Sequence, residues 1–113
     1  MEIRELKGKD LYRFSKMLRK MNIRREVKGL ITDVTGKTEE EKKAKADEIA
    51  LEVAFIVLEN IGNAEKEANH FFGDLVGLKP EEFAELSFKE IADIVKTVMQ
   101  QEDFQDFFEQ AVQ

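Results

Sequence analysis

"IALEVAFIVL", residues 49–58, is the longest apolar run in the chain, and only Glu52 interrupts it. A membrane-spanning helix needs about 20 apolar residues, so this run is too short to cross a bilayer. Its length and flanks suit the second half of a helix. Apolar residues fall on nearly every side of it, which is expected of a central helix enclosed by others. If this segment is the core helix, the remaining chain must supply amphipathic helices to cover it, and an all-α bundle follows.

Immediately upstream lies "TDVTGKTEEE", residues 32–41. Gly36-Lys37-Thr38 matches the end of a phosphate-binding loop, G-x-x-x-x-G-K-[ST]. The position that needs the first glycine holds Ile31. That glycine lets the backbone curl its N–H groups around phosphates, and no run of strands is visible to back the loop. A helix start explains the stretch better. Thr38 suits the N-cap, Glu41 the reciprocal capping-box position, and three glutamates in the first turn complement the helix dipole. This third helix is expected to run from Thr38 to about Asn60, with a charged, solvated first half over 39–47.

The N-terminal side offers two more helices. Residues 1–7 form a short polar lead that lacks the apolar segment of a signal peptide. A first helix is expected from Lys9 or Asp10, with Leu11, Phe14, Leu18 and Met21 on one face. A second runs from about Arg24 to Asp33 with Val27, Leu30, Ile31 and Val34 inward. Gly29 weakens it, and Gly36 ends it.

Downstream, Gly62 suits the end of the third helix and Asn63 an N-cap. Ala64, Ala68, Phe71 and Leu75 then make a stripe. Gly77 fits a C-terminal cap, and Pro80 the first position of a short helix through Leu86. Ser87 to Glu90, "SFKE", is a capping box for a helix carrying Phe88, Ile91, Val95 and Val98. After a polar break at 101–103, "DFQDFFEQAV" reads as a terminal helix with Phe104, Phe107, Phe108 and Ala111 at helical spacing. The expected architecture is all-α: a single compact bundle of about six helices with short loops, one domain over residues 1–113.

Charge is divided unevenly along the 113 residues. Residues 1–30 hold ten Lys/Arg against four Asp/Glu, whereas the full chain carries a net charge of −6. The basic front, with Arg13, Lys16, Lys20, Arg24, Arg25 and Lys28, is a candidate charged contact surface. It suits nucleic-acid phosphates, or the acidic remainder of the same chain or of a neighbouring copy. The second use needs no outside partner and predicts weak, salt-sensitive self-association. As a basic amphipathic helix the first helix also fits a membrane surface or a partner, but its narrow apolar stripe suits a core-facing helix better.

Reactive chemistry is sparsely provided. The chain has no cysteine, which excludes disulfides and thiolate sites and is compatible with a reducing compartment. The single histidine, His70, has Glu67 and Asp74 on its helix face, but zinc sites ordinarily use more imidazole or thiolate ligands. Ser15 and Ser87 have no recognisable base, and no spacing selects a carboxylate pair for acid–base work. No catalytic residue, metal ligand or cofactor site is assigned. With no Trp and a single Tyr, base-stacking surfaces are poorly supplied.

Nine phenylalanines are a different signal. Most fit core stripes. Phe107 and Phe108 are adjacent, so a helix points them in different directions. Filling the bundle core is the favoured use of the pair; the alternative leaves one of them partly exposed as a protein anchor. Phe104, Phe107 and Phe108 are therefore the candidate protein-binding residues.

Three stretches carry a family resemblance: "LYRFSKMLRKMNIRREV" (11–27), "LENIGNAEKEANHFFGDLVGLKPEEFAELSFKEIADIV" (58–95) and "EDFQDFFEQA" (102–111). In this order they resemble the small tail assembly chaperones of long-tailed bacteriophages and related prophages, closest to those of Gram-positive hosts. The resemblance implies a helical, non-enzymatic protein of the bacterial cytoplasm. It also implies a partner, the long helical tape measure protein, kept soluble until tail tube protein polymerises around it. It brings no catalytic residues. No membrane and no specific nucleic acid are expected as partners. The alternative is a small helical nucleic-acid-binding regulator using the basic N-terminal helix.

Overall fold

The structure is a computed structural model that describes residues 2–32, 38–101, 104 and 107. Among these residues there are six α-helices, no strand and one 3-10 turn. The all-α bundle expected from the sequence is what forms. The helices are α1 (Gly8–Met21), α2 (Arg24–Thr32), α3 (Glu39–Asn60), α4 (Glu65–Leu75), α5 (Pro80–Ala84) and α6 (Phe88–Met99). The 3-10 turn, Ile61–Ala64, joins α3 to α4. The expected end of the second helix at Asp33 to Gly36 lies outside the described residues. So does most of the expected terminal helix, including Phe108 and Ala111.

Local capping chemistry sets most boundaries. Thr38 Oγ1 accepts the Glu41 N–H at 3.2 Å and opens α3. Ser87 does the same for Glu90, and the Glu90 carboxylate accepts the Ser87 N–H at 3.3 Å. Pro80 opens α5. At the end of α4, Leu78 N–H donates to Gly73 O and Gly77 N–H to Asp74 O, the paired bonds of a Schellman turn. Gly77 takes φ +77° there, where a side chain would be strained. Asn22 closes α1 with φ 59°, a left-handed conformation that asparagine tolerates. The resulting turn delivers Ile23 to the core.

One expected cap is displaced. Asn63 does not cap α4; the chain stays coiled through the 3-10 turn, and Ala64 takes the cap position. Burial of Ala64 in the core holds it there.

Packing is organised in two linked groups. α1 lies on α4 and on the 3-10 turn, and α4 carries α5. α3 packs on α6, α2 and the 3-10 turn. Gly73 allows the close approach of α5 to α4: a Cβ there would meet Leu78 O at 3.1 Å and Phe83 Cβ at 3.3 Å.

Aromatic rings run through the first group as a connected chain. Phe14 of α1 has its ring centroid 5.2 Å from Phe71, 5.5 Å from Phe104 and 5.6 Å from Phe107. Phe71 leads to Phe72 at 4.9 Å, and Phe72 to Phe83 of α5 at 6.1 Å. These separations suit edge-on and offset ring packing. Met17, Leu18, Val53, Val57, Val95 and Val98 fill the space around them.

Two expectations about burial are corrected. α3 is not enclosed on all sides: Val53, Ala54 and Val57 are buried, but Leu51 and Phe55 are 37% and 45% exposed. Its neighbours cover one face only. Phe88 was expected in the apolar stripe of α6 and is 75% exposed. It is the first residue of that helix, and side chains on a helix lean toward its N-terminus, so the ring reaches past the packed segment. Ala92, Ile94 and Met99 join Val95 and Val98 in the buried face instead.

Phe14 is fully buried at the junction of this aromatic chain. Replacing it with Ala should destabilise the fold by about 3–5 kcal/mol. Denaturant titration followed by circular dichroism should show this as a lowered midpoint.

Candidate functional site

Ionic contacts fix the chain's N-terminal lead against the bundle. Arg4 N–H donates to Leu75 O at 2.9 Å, at the end of α4. Its guanidinium grips Asp10 with two bonds of 2.7 Å and also bonds Asp74. Arg13 reaches the same Asp74 oxygen at 3.0 Å, and Lys9 lies 3.6 Å from it. Asp10 is fully buried and accepts the Lys7 N–H at 2.8 Å, capping α1.

The titration shifts follow from this geometry. Burial pushes the Asp10 carboxyl upward, but the bonds from Arg4 and from the Lys7 N–H outweigh it and hold the group below its ordinary value. The Arg4 bond, with the charges of Arg4, Lys9 and Arg13, overcomes burial and keeps the Asp74 carboxyl low as well. The Asp10 bond raises the Arg4 guanidinium well above its usual range. Every charge in the cluster has a partner, so its role is to fasten the lead and α1 to α4.

That cluster changes the reading of the basic front. Arg13 is taken up by Asp74. Lys16, Lys20, Arg24, Arg25 and Lys28 have exposed side chains along α1 and α2. Asp74 also serves the clasp rather than His70, which is exposed. Among the described residues no group of His, Asp and Glu is arranged to hold a metal ion. No helix among them is long and apolar enough to cross a membrane.

The candidate aromatic anchors divide. Phe104 is 3% exposed and belongs to the core. Phe107 is partly buried, stacked 6.4 Å from Phe71 and tilted against Phe104 at 5.6 Å. Phe108 lies outside the described residues.

Apolar surface is presented elsewhere, on the outer face of α3. Leu51 and Phe55 are one helical turn apart, and exposed Ala44 extends their line toward the N-terminus. Glu41, Glu48, Glu52 and Glu59, all exposed, follow one edge of this line at spacings of seven, four and seven residues. Exposed Asp47 stands on the other edge. Among the described residues two cations touch the strip: Lys45 is 3.4 Å from Glu48, and Lys96 of α6 sits 5.6 Å above the Phe55 ring centroid. The strip is apolar along its middle and net acidic along its borders. In the sequence it was hidden, because apolar residues surround the second half of α3 and give no preferred face.

A shallow cleft of about 470 Å³ opens beside the C-terminal end of α3. Met21, Asn22, Ile23 and Glu26 line it from the α1–α2 corner, and Ile56, Glu59, Asn60 and Asn63 from the other side. Asn60 is engaged at 2.8 Å with the Ile56 carbonyl.

No protein-family model, curated protein or solved structure matches this chain.

The ionic clasp sets an acid sensitivity. Asp10 and Asp74 both titrate lower in the folded chain than when unfolded. Their stabilisation is therefore complete above the ordinary carboxylate value of about 3.9 and is lost as pH falls through the folded values. Asp10→Ala should cost about 3 kcal/mol at neutral pH and flatten the loss of stability below about pH 4. Urea midpoints measured across pH for both chains will show whether the slopes differ.

Proposed function

We propose that this chain is a non-enzymatic assembly chaperone of the long-tailed phage type, which holds the helical tape measure protein in solution before the tail tube forms around it. Two things support the reading. The helix order carries the sequence resemblance, with a basic α1, an apolar α3 and the α4–α6 region in sequence. The carrying observation is the outer face of α3, where Leu51 and Phe55 remain exposed on a well-packed bundle. Exposed apolar side chains grouped at helical spacing suit contact with another helix. Charged residues around them limit nonspecific association.

A second reading, a nucleic-acid-binding regulator, draws on the exposed cations of α1 and α2. Arg13 is withdrawn from that surface by Asp74. The acidic border of α3 would also repel a long polyanion. Weak retention of any polyanion at low salt, lost near physiological salt, is the behaviour expected of the cations that remain.

Light scattering on a helical fragment of a phage tape measure protein tests the proposal. Diluted alone from denaturant, the fragment should aggregate; with the intact chain present in equal amount it should stay clear. Equal scattering with and without the chain would contradict the chaperone reading. Sequence-selective DNA binding that persists at physiological salt would favour the regulator.

A further inference from the structure

The geometry points to the outer face of α3 as a docking strip for a cationic amphipathic helix of a partner protein. This rests on the chaperone reading and deepens it, by naming the surface and the chemistry of the client segment. Leu51 and Phe55 offer apolar contacts one helical turn apart on a single helix. A partner helix meets such a line with its own residues at spacings of three and four. The glutamate row beside the line, with Asp47 opposite, then places carboxylates against both flanks of the incoming helix. Lysine or arginine on those flanks complements them; glutamate there would be repelled. Lys96 already places its ammonium over the Phe55 ring, so the selection for a cationic helix comes from the carboxylate borders.

Other occupants fit less well. A second copy would offer the basic side of α1 and α2, and charge alone would favour it. Among the described residues, however, the exposed large apolar side chains are Tyr12, Leu51, Phe55 and Phe88. Among the described residues the basic side thus brings Tyr12 as its one exposed large apolar side chain. Residues 108–113 of the same chain, "FEQAVQ", contain no Lys or Arg and carry Glu109. They lack the charge that the border of the strip selects.

Two synthetic amphipathic helices provide the probe. They share one leucine face and differ only in having lysine or glutamate along its flanks. Fluorescence anisotropy with the full chain should show binding of the lysine peptide, weakened by salt because exposed charges are screened. The glutamate peptide should not bind. A Leu51→Ser/Phe55→Ser chain should bind the lysine peptide about tenfold more weakly or worse. A Glu48→Gln/Glu52→Gln/Glu59→Gln chain changes only exposed residues. It should lose both affinity and most of the salt dependence while keeping its melting temperature.

Equal binding of the two peptides, absence of binding, or unchanged affinity in the glutamine chain would overturn the assignment. So would sedimentation in which the wild-type chain self-associates through this strip without binding peptide, since the occupant would then be a second copy. The fragment-scattering assay on the same variants separates the two claims. If wild type and glutamine chain both keep the tape measure fragment clear, the chaperone reading stands and this face is wrong. If the wild-type chain binds the lysine peptide through the strip but leaves the fragment to aggregate, the docking strip stands and the chaperone reading fails.

Discussion

Phe14 is the contact on which the bundle is assembled. Its ring has no exposed surface and touches rings from α4 and from residues 104 and 107. A chain of this size without cysteine depends heavily on its core, because disulfides cannot supplement burial. Placing a large rigid ring where three segments meet joins residues that are far apart in sequence. The Arg4–Asp10–Asp74 clasp lies outside that ring cluster and fastens the lead to the same pair of helices. Core and clasp together fix α1 on α4.

α3 stands in a different relation to this core. It gives one face to α6, α2 and the 3-10 turn, and keeps the other in water. The exposed face is mixed: apolar along its centre and acidic at its borders. A purely apolar face of that length would invite indiscriminate association, and a purely charged one would offer no anchor. The mixture suits a reversible contact with a helix of opposite charge. The proposed holding function rests on this division of labour between an aromatic core and a separate apolar strip.

Features encoded within a few neighbouring residues were legible in the sequence. Thr38, Gly77, Pro80 and Ser87 mark helix ends because capping depends on groups three or four residues away. The stripe of Ala64, Ala68, Phe71 and Leu75 is a simple periodicity and is buried as read. Long-range features were not legible. Asp10 looks like a surface residue at a helix start, and its burial depends on Arg4 and on Asp74, which lies 70 residues from Arg4. The outer face of α3 is hidden in the sequence because apolar residues fall on nearly every side of its second half, so periodicity does not choose an inner side. Phe88 shares the stripe of α6 but sits beyond the neighbours that would cover it.

The phenylalanines divide between an interior that holds the bundle and an exposed outer set at Phe55 and Phe88. Photochemical footprinting of the free chain, with labelling at each phenylalanine read by mass spectrometry, tests it most directly. Phe14, Phe71, Phe72 and Phe83 have no exposed surface and Phe104 has 3%, against 45% for Phe55 and 75% for Phe88. The expected result is strong labelling at Phe55 and Phe88 with protection of the other five. Labelling of Phe14 or Phe71 as strong as that of Phe55, or protection of Phe55 in the monomeric free chain, would contradict the account.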